Sequence, residues 1–353
     1  MKKKAVGILV IAGMVIGLTA CGSLSSSTGD SASSNAEKEK KSGNAEVLTL
    51  TFALSETSPH YEASLKFAEL VEEYTEGAYT VEVYPNSTLA GGNQLGAIEM
   101  VQKGTISCGF LSPLVQCSIV PDLNALCMPY LWNDYETIDA TLAPGTDVDT
   151  ALNNILKDYG YIAVGYAENG YRELTNSIRE VRKPEDLKDI KVRCIGSNML
   201  FEFFQECGAN PMDMNFSELF TGLQQGAVDG QENPISTAIY PQKYYEVQDY
   251  MTVWNYTYEP HPLMFNLDLW NSFDKDTQEA IQKAAVEACD FQRELSRTAI
   301  EEDTQAIEES GTKVTVLTEE EKEAFKEIAE PIVEKHKKDF NPELVQALEE
   351  ATK

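Results

Sequence analysis

Leu48-Thr49-Leu50-Thr51-Phe52-Ala53 alternates apolar with polar positions and sets threonines between leucines, the period-two pattern of a half-buried strand. Immediately downstream the period changes. Tyr61 to Tyr74 carries apolar residues at helical spacing, with Leu65, Ala68 and Val71 on one row and Phe67, Leu70 and Tyr74 on the next. Thr80 to Tyr84 returns to an extended pattern closed by Pro85-Asn86, Leu95 to Lys103 is helical up to Gly104, and Ile106 to Leu111 is extended again. This strand–helix–strand–helix–strand order predicts an α/β fold with parallel pairing and right-handed crossovers. Ligands of such open sheets gather outside the carboxyl ends of the strands.

The order recurs further along. Tyr161 to Ala167 and Asp189 to Ile195 read as strands, and Asn198 to Glu206 as a helix. Ser217 to Gln225 reads as a helix with Ser217 as N-cap and Gly226 as its stop, followed by a short strand over Ala227 to Gln231. Beyond it, Val253 to Tyr258 and Leu263 to Leu267 look extended. Asp276 to Ser310 is one long helical pattern closed by Gly311, long enough to act as a strut between two α/β units. Glu319 to Lys338 and Pro342 to Ala351 are expected as terminal helices, and no repeat of fixed period is present.

The amino terminus reads as an export signal. Lys2, Lys3 and Lys4 precede an apolar run from Ala5 to Ala20, which is short for a transmembrane span. It ends in Leu18-Thr19-Ala20-Cys21-Gly22, so residues 1–21 are expected to be a lipoprotein signal peptide whose lipobox Cys21 carries the lipid. Residues 22–45 are rich in Ser, Gly, Asn, Lys and Glu and have too little apolar surface to offset ordering. They read as a tether with a reach of roughly 25–30 Å. The chain would then be anchored to the outer face of the cell membrane.

The formal charge of −29 argues against nucleic acid and against a basic membrane-binding face. It leaves an anionic ligand possible, because distant surface charge is screened over about 8 Å. Cys108, Cys117, Cys127, Cys194, Cys207 and Cys289 lack metal-like spacing and read as disulfides or isolated buried thiols. There is no phosphate-binding glycine loop, no GxSxG elbow and no HExxH, so no catalytic residue, metal or cofactor is expected.

A few residues remain as candidates for chemistry. His336 lies among Lys335, Lys337 and Lys338 on a solvated face, and His261, between Pro260 and Pro262, is expected to shape a turn. His60 follows Pro59 at the mouth of the first strand–helix turn, where a ligand can lie. Arg193 ends the strand Ile190-Lys191-Val192-Arg193-Cys194, on the face opposite Ile190, Val192 and Cys194. A guanidinium there can meet a carboxylate through two parallel charge-assisted bonds. Arg172 follows Glu168-Asn169-Gly170-Tyr171, where the chain passes between the two units. Asn233 precedes Pro234 and reads first as a helix N-cap, while the free N–H groups of that helix start could also face an anion.

Gly226-Ala227-Val228-Asp229-Gly230-Gln231-Glu232-Asn233-Pro234, preceded by Phe216-Ser217-Glu218-Leu219, resembles the signature of the substrate-binding proteins of TRAP transporters, the DctP family. So do Asn169 to Ser177, Pro184-Glu185-Asp186-Leu187-Lys188, Lys191-Val192-Arg193, Gly208-Ala209-Asn210-Pro211, Lys243 to Val247 and Tyr84 to Leu89. The likeness runs in order from about Leu48 to Lys338. It implies a two-lobed, periplasmic-binding-protein-like clamshell with a long helix bridging the lobes. Lobe 1 would hold residues 46–169 and about 259–300, and lobe 2 residues 170–258 and about 301–353. It implies that Arg193 pairs with a ligand carboxylate, that Arg172 and Asn233 assist, and that Phe216 lines the pocket. Its implied partners are a small and a large TRAP membrane subunit driven by an ion gradient. One departure is Cys194-Ile195, where the family usually has Val-Pro.

The expected function is capture of a small organic acid by a monomer: a C4-dicarboxylate, a hexuronate or a related sugar acid. Two arginines suit one carboxylate or two, while Glu168, Asn169 and His60 suit hydroxyls. The alternatives are a binding lipoprotein of an ATP-driven importer, a ligand sensor for a membrane kinase, and a secreted hydrolase.

Overall fold

The computed structural model describes residues 45–353, so the leader, Cys21 and all but the last tether residue lie outside the described residues. Eleven strands form two sheets among the described residues. The first contains β1 (Glu46–Thr51), β2 (Tyr79–Tyr84), β3 (Cys108–Phe110), β4 (Tyr161–Tyr171) and β10 (Tyr258–Asn266), in the order β2-β1-β3-β10-β4. The second contains β5 (Glu173–Asn176), β6 (Lys191–Cys194), β7 (Asn210–Asp213), β8 (Gly230–Asn233), β9 (Tyr250–Val253) and β11 (Lys313–Val316). Its order is β11-β9-β5-β8-β6-β7. The expected α/β clamshell is therefore present, including its long helix, Lys275–Glu309.

β1 pairs parallel with β2 and β3, and β6 parallel with β7 and β8, as the strand–helix alternation predicts. Leu48 and Leu50 of β1 are buried with Phe67, Leu70 and Val71 of the helix Pro59–Tyr74, so the two periodicities meet in one core. The same core takes Ile281, Ala284, Ala285 and Ala288 from the amino-terminal half of the long helix. Its carboxy-terminal half reaches the second sheet, where Ile307 packs with Leu219, Val228, Ile239 and Met251. Gly230 explains one residue of the Asp229-Gly230 motif, since a Cβ there would collide with the carbonyl oxygen of Thr175.

Two extended segments cross between the sheets side by side. β4 leaves the first sheet and continues through Arg172 into β5, while β9 returns through Thr257 into β10, and Arg172 N–H donates to the Thr257 carbonyl at 2.9 Å. Here the structure corrects an expectation. Pro260-His261-Pro262 is not a turn; it lies inside β10, which is fully buried and pairs antiparallel with both β3 and β4. Proline has no N–H for a ladder, and the register shift between Glu259 and Pro260 accommodates that loss.

Other expectations are also revised. Ser217 sits within a 3-10 turn, Phe216–Glu218, ahead of the helix Leu219–Gln224, and caps nothing with its side chain. Asn233 is the last residue of β8 rather than an N-cap, and Pro234 leads into a single π-helical turn, Ile235–Ile239. His336 is half-buried against Glu202, with Nε2 2.8 Å from Oε2. The six cysteines are all free and buried, and burial pushes the Cys207 and Cys289 thiols up to about 12. The terminal helix Pro342–Ala351, expected with the second lobe, packs against Asp147–Asp158.

Candidate functional site

β6 and β8 end side by side, and their carboxyl ends carry Arg193 and Asn233. Both faces of β6 are buried past Lys191, so the alternation that set Arg193 apart places it in the interior, 2 % exposed. Nε and Nη2 of Arg193 both donate to the Met214 carbonyl, at 3.1 and 3.0 Å. Nη1 is buried and has no hydrogen-bond partner among the described residues. Burial pulls the Arg193 pKa down, against the upward pull of Glu232 and Tyr244. The carbonyl anchor fixes one edge of the guanidinium and leaves the other directed at whatever lies beyond Nη1.

Arg172 is used differently. Its Nε bonds Glu232 Oε2 and its Nη1 bonds Glu259 Oε2, both in close contact. Nη2 donates to Glu232 O at 2.6 Å, Glu232 Oε1 at 2.9 Å and Asn233 Oδ1 at 3.2 Å. Burial alone would lower its pKa, but the two glutamates raise it well above the ordinary value. Arg172 therefore ties β8 of the second sheet to β10 of the first. Tyr256 adds its hydroxyl to Glu232 Oε2 at 2.7 Å, and Asn233 Nδ2 donates to Gln231 Oε1 at 2.5 Å. The three residues Arg193, Arg172 and Asn233 are brought together, with Arg193 feeling the charges of both Arg172 and Glu232.

The remaining candidates lie around this group. Phe216 packs edge-on against Tyr244 at 6.3 Å and, with Asn86, Ser87 and Gln94 of the first sheet's side, lines a cavity of about 160 Å³. His60 is wholly buried: Nε2 is 2.9 Å from His261 Nδ1, and Nδ1 is 3.4 Å from Gln292 Nε2. It stands behind His261, so both of its nitrogens face protein. The Glu168 carboxylate is taken up by the Tyr258 hydroxyl at 2.9 Å and by Arg297 Nε and Nη2 at 3.0 and 2.8 Å. Glu168 lines a different cavity, of about 270 Å³, whose walls include Tyr135, Ser236 and Ser296; Arg172 and Arg193 line neither this cavity nor the one at Phe216. Asn169 gives its amide to Glu259 Oε2 at 2.6 Å and accepts from Thr237 at 2.8 Å.

Sequence reasoning missed Glu259, set His261 aside as a turn former, and gave Tyr244, inside Lys243 to Val247, no role. Glu232 stood inside a quoted motif without a role. No local pattern marks a glutamate as buried, and Pro260-His261-Pro262 carried a stronger turn signal than strand signal. Among the described residues no group of His, Cys, Asp and Glu is arranged to hold a metal ion. No helix among them is long and apolar enough to cross a membrane.

The model of DctP, bacterial extracellular solute-binding protein family 7, matches residues 51–339. The 2,3-diketo-L-gulonate-binding periplasmic protein YiaO of Escherichia coli (strain K12) is 31% identical over 285 residues, covering 80% of this chain and 84% of that one. The C4-dicarboxylate-binding periplasmic protein DctP of Rhodobacter capsulatus is 30% identical over 313 residues, covering 87% of this chain and 91% of that one. Among solved structures, the sugar acid binding protein DctPAm of Advenella mimigardefordensis strain DPN7T, in complex with galactonate, superposes with a TM-score of 0.82. It is 32% identical, and the match covers 88% of this chain and 98% of that one.

Proposed function

This chain belongs to the bacterial extracellular solute-binding protein family 7, the DctP-type binding proteins of TRAP transporters, and from that premise we propose that Arg193 is the residue on which its organic acid docks. The observation that carries this reading is the buried, unpartnered Nη1 of Arg193, beside two N–H groups already fixed by the Met214 carbonyl. A buried cation without an anion is costly, and a carboxylate supplies both the charge and the acceptor. Arg172 and Asn233 support the site indirectly: Arg172 is neutralised by Glu232 and Glu259 and holds Asn233 in place. Tyr244, which lines one cavity with Phe216, lies within the electrostatic reach of Arg193.

Binding would be coupled to closure of two lobes, residues 46–169 with about 259–300 and residues 170–258 with about 301–353. The grouping of the strands into two sheets supports such a division, with β4 running past residue 169 to Tyr171 and the carboxy-terminal helix packing against the first lobe's Asp147–Asp158. Shifting such an equilibrium from mostly open to mostly closed takes about 5.5 kcal/mol of differential affinity. A desolvated arginine–carboxylate pair with its surrounding contacts is of that order.

The proposed role is delivery, by a monomer without catalytic activity, to a small and a large TRAP membrane subunit. Anchorage through a lipidated Cys21 on a tether of residues 22–45 would keep the chain near them. Thermal-shift titration of the purified chain with a panel of small acids tests the ligand class. One acid is expected to raise Tm by several degrees while its amide does not. Equal stabilisation by acid and amide, or none by any acid, would refute carboxylate capture.

A further inference from the structure

The cavity of about 270 Å³ bordered by Glu168 lies along both segments that cross between the sheets, with Ser296 and Ile300 of the long helix in its wall. Tyr135, Tyr171, Ile235 and Ile300 give it an apolar lining. Buried polar residues also reach it, and some of these are already engaged. Asn169 and Thr237 bond each other, Asn169 also bonds Glu259, and Ser296 Oγ accepts from Gln292 Nε2 at 2.8 Å. Glu168, Glu173 and Ser236 keep open capacity, and all of it can accept a hydrogen. Every side-chain bond to Glu173 and to Glu168 ends on Oε2, so neither Oε1 has a hydrogen-bond partner among the described residues. Ser236 Oγ is likewise unpartnered, in a residue only 5 % exposed.

The two glutamates differ in charge balance. Glu168 is matched by Arg297, which also pairs with Asp139 at 2.7 Å. Glu173 forms no ion pair among the described residues. The cation that acts on it is Lys322, itself 2.9 Å from Glu319. Burial therefore raises the Glu173 pKa to about 7, against the N–H groups of Trp254 and Asn255. Burial also raises the pKa of Tyr135 and Tyr171, and Glu168 and Glu173 both add to the rise, so the two carboxylates act on the same aromatic pair. A further carboxyl stands close by. Asp303 follows Ile300 by one turn of the long helix, and burial raises its pKa while Ser236 opposes the rise. Glu173 is thus the negative counterpart of Arg193, a buried charge without a counter-ion, and it lines a cavity.

We propose that this cavity is a second ligand site, separate from the acid site, which takes a small monoamine as its ammonium ion with Glu173 as the counter-ion. An ammonium carries N–H donors and no acceptor, which suits two carboxylate oxygens and a hydroxyl. Its apolar body would lie on Tyr135, Tyr171, Ile235 and Ile300, where the tyrosine faces also favour a cation. A bare metal ion would leave most of a space of this size, and its apolar lining, unfilled. A diamine would bring a second charge for which no free carboxylate remains beside Glu173, since Glu168 is held by Arg297. Neither Arg193 nor Arg172 lines the cavity, so the proposal does not depend on where the carboxylate of the captured acid docks.

The test is isothermal titration of the purified chain with benzylamine and with its neutral counterpart, benzyl alcohol, at pH 6 and pH 8. At pH 8 the wild-type protein is expected to bind the amine at least about tenfold more tightly than the alcohol. Amine affinity is expected to rise about tenfold from pH 6 to pH 8, because Glu173, with a pKa of about 7, must lose its proton before it can receive an ammonium. Glu173→Gln is expected to abolish both the preference and the rise. Ile300→Trp, at a half-buried position on the long helix, should crowd the cavity and exclude amine and alcohol alike. Equal binding of the two compounds by the wild-type protein, or binding of neither, overturns the ammonium site without recourse to any variant. Amine binding that is lost in Arg193→Ala but kept in Glu173→Gln puts the amine elsewhere and also overturns it.

Discussion

Arg172 and Glu232 form a forked ion pair with no solvent exposure on either side chain, Nε against Oε2 and Nη2 against Oε1 at 2.9 Å. The same guanidinium reaches Glu259 across the gap between the sheets. Removing it would strand two buried carboxylates. Arg172→Ala is therefore expected to cost about 3–5 kcal/mol of stability, seen as a fall in Tm of roughly 6–20 °C, in addition to any effect on binding. Calorimetric melting of the ligand-free variant checks this. An unchanged Tm would show that Arg172 is held for the ligand and not for the fold.

Arg193 should behave in the opposite way. Its structural bonds are two donations to one carbonyl, and its third nitrogen is unpartnered. Arg193→Ala is expected to fold, with Tm within a few degrees of wild type, while affinity for the stabilising acid falls by about a hundredfold or more. Arg193→Lys keeps the charge but cannot bond the Met214 carbonyl and the ligand as a planar fork, so it should recover only part of the loss. A variant that titrates like wild type would remove Arg193 from the site.

Glu173 gives the chain a pH dependence of stability. Burial raises its pKa to about 7, against the N–H groups of Trp254 at 2.7 Å and Asn255 at 3.1 Å, which favour the ionised form. The unfolded carboxyl titrates near 4.5. The native state binds the proton more tightly, so this group's stabilising contribution is full below about 4.5 and is lost as pH rises through about 7. The loss is about 3 kcal/mol. Glu173→Gln should flatten that part of the profile, read as urea midpoints at pH 4.5, 6 and 8. Parallel profiles for the two proteins would contradict the assignment.

Cys21 lies outside the described residues, and its proposed role is tested by fractionation. The wild-type chain is expected in the membrane fraction and Cys21→Ala in the soluble fraction, because a thioether-linked lipid is the proposed anchor. Equal partitioning of the two would argue for a different means of retention.

The alternation of Leu48 to Ala53 with the helix that follows was enough to place β1 and the first crossover, because both periodicities are local and both report the same buried side. The strand of Lys191–Cys194 was legible for the same reason, and so was the length of the Lys275–Glu309 helix. β5, β7 and β11 were not read as strands, because their extended state is fixed by the strands they pair with, β8 and β9, β6, and β9 respectively. His261 was misread because two flanking prolines look local, whereas their tolerance inside β10 depends on a register shift against β4.

The sequence by itself determined the fold class and the family, the first from local periodicities and the second from motifs spread along residues 51–339, and it offered Arg193 as a candidate. The tertiary structure alone decided which guanidinium is spent and which is free. Arg172 meets carboxylates 60 and 87 positions away, and His261 meets an imidazole 201 positions away. The state of a buried charge is set by what lies within a few ångströms in space, where the low dielectric makes each neighbour count, and chain separation carries no information about that distance.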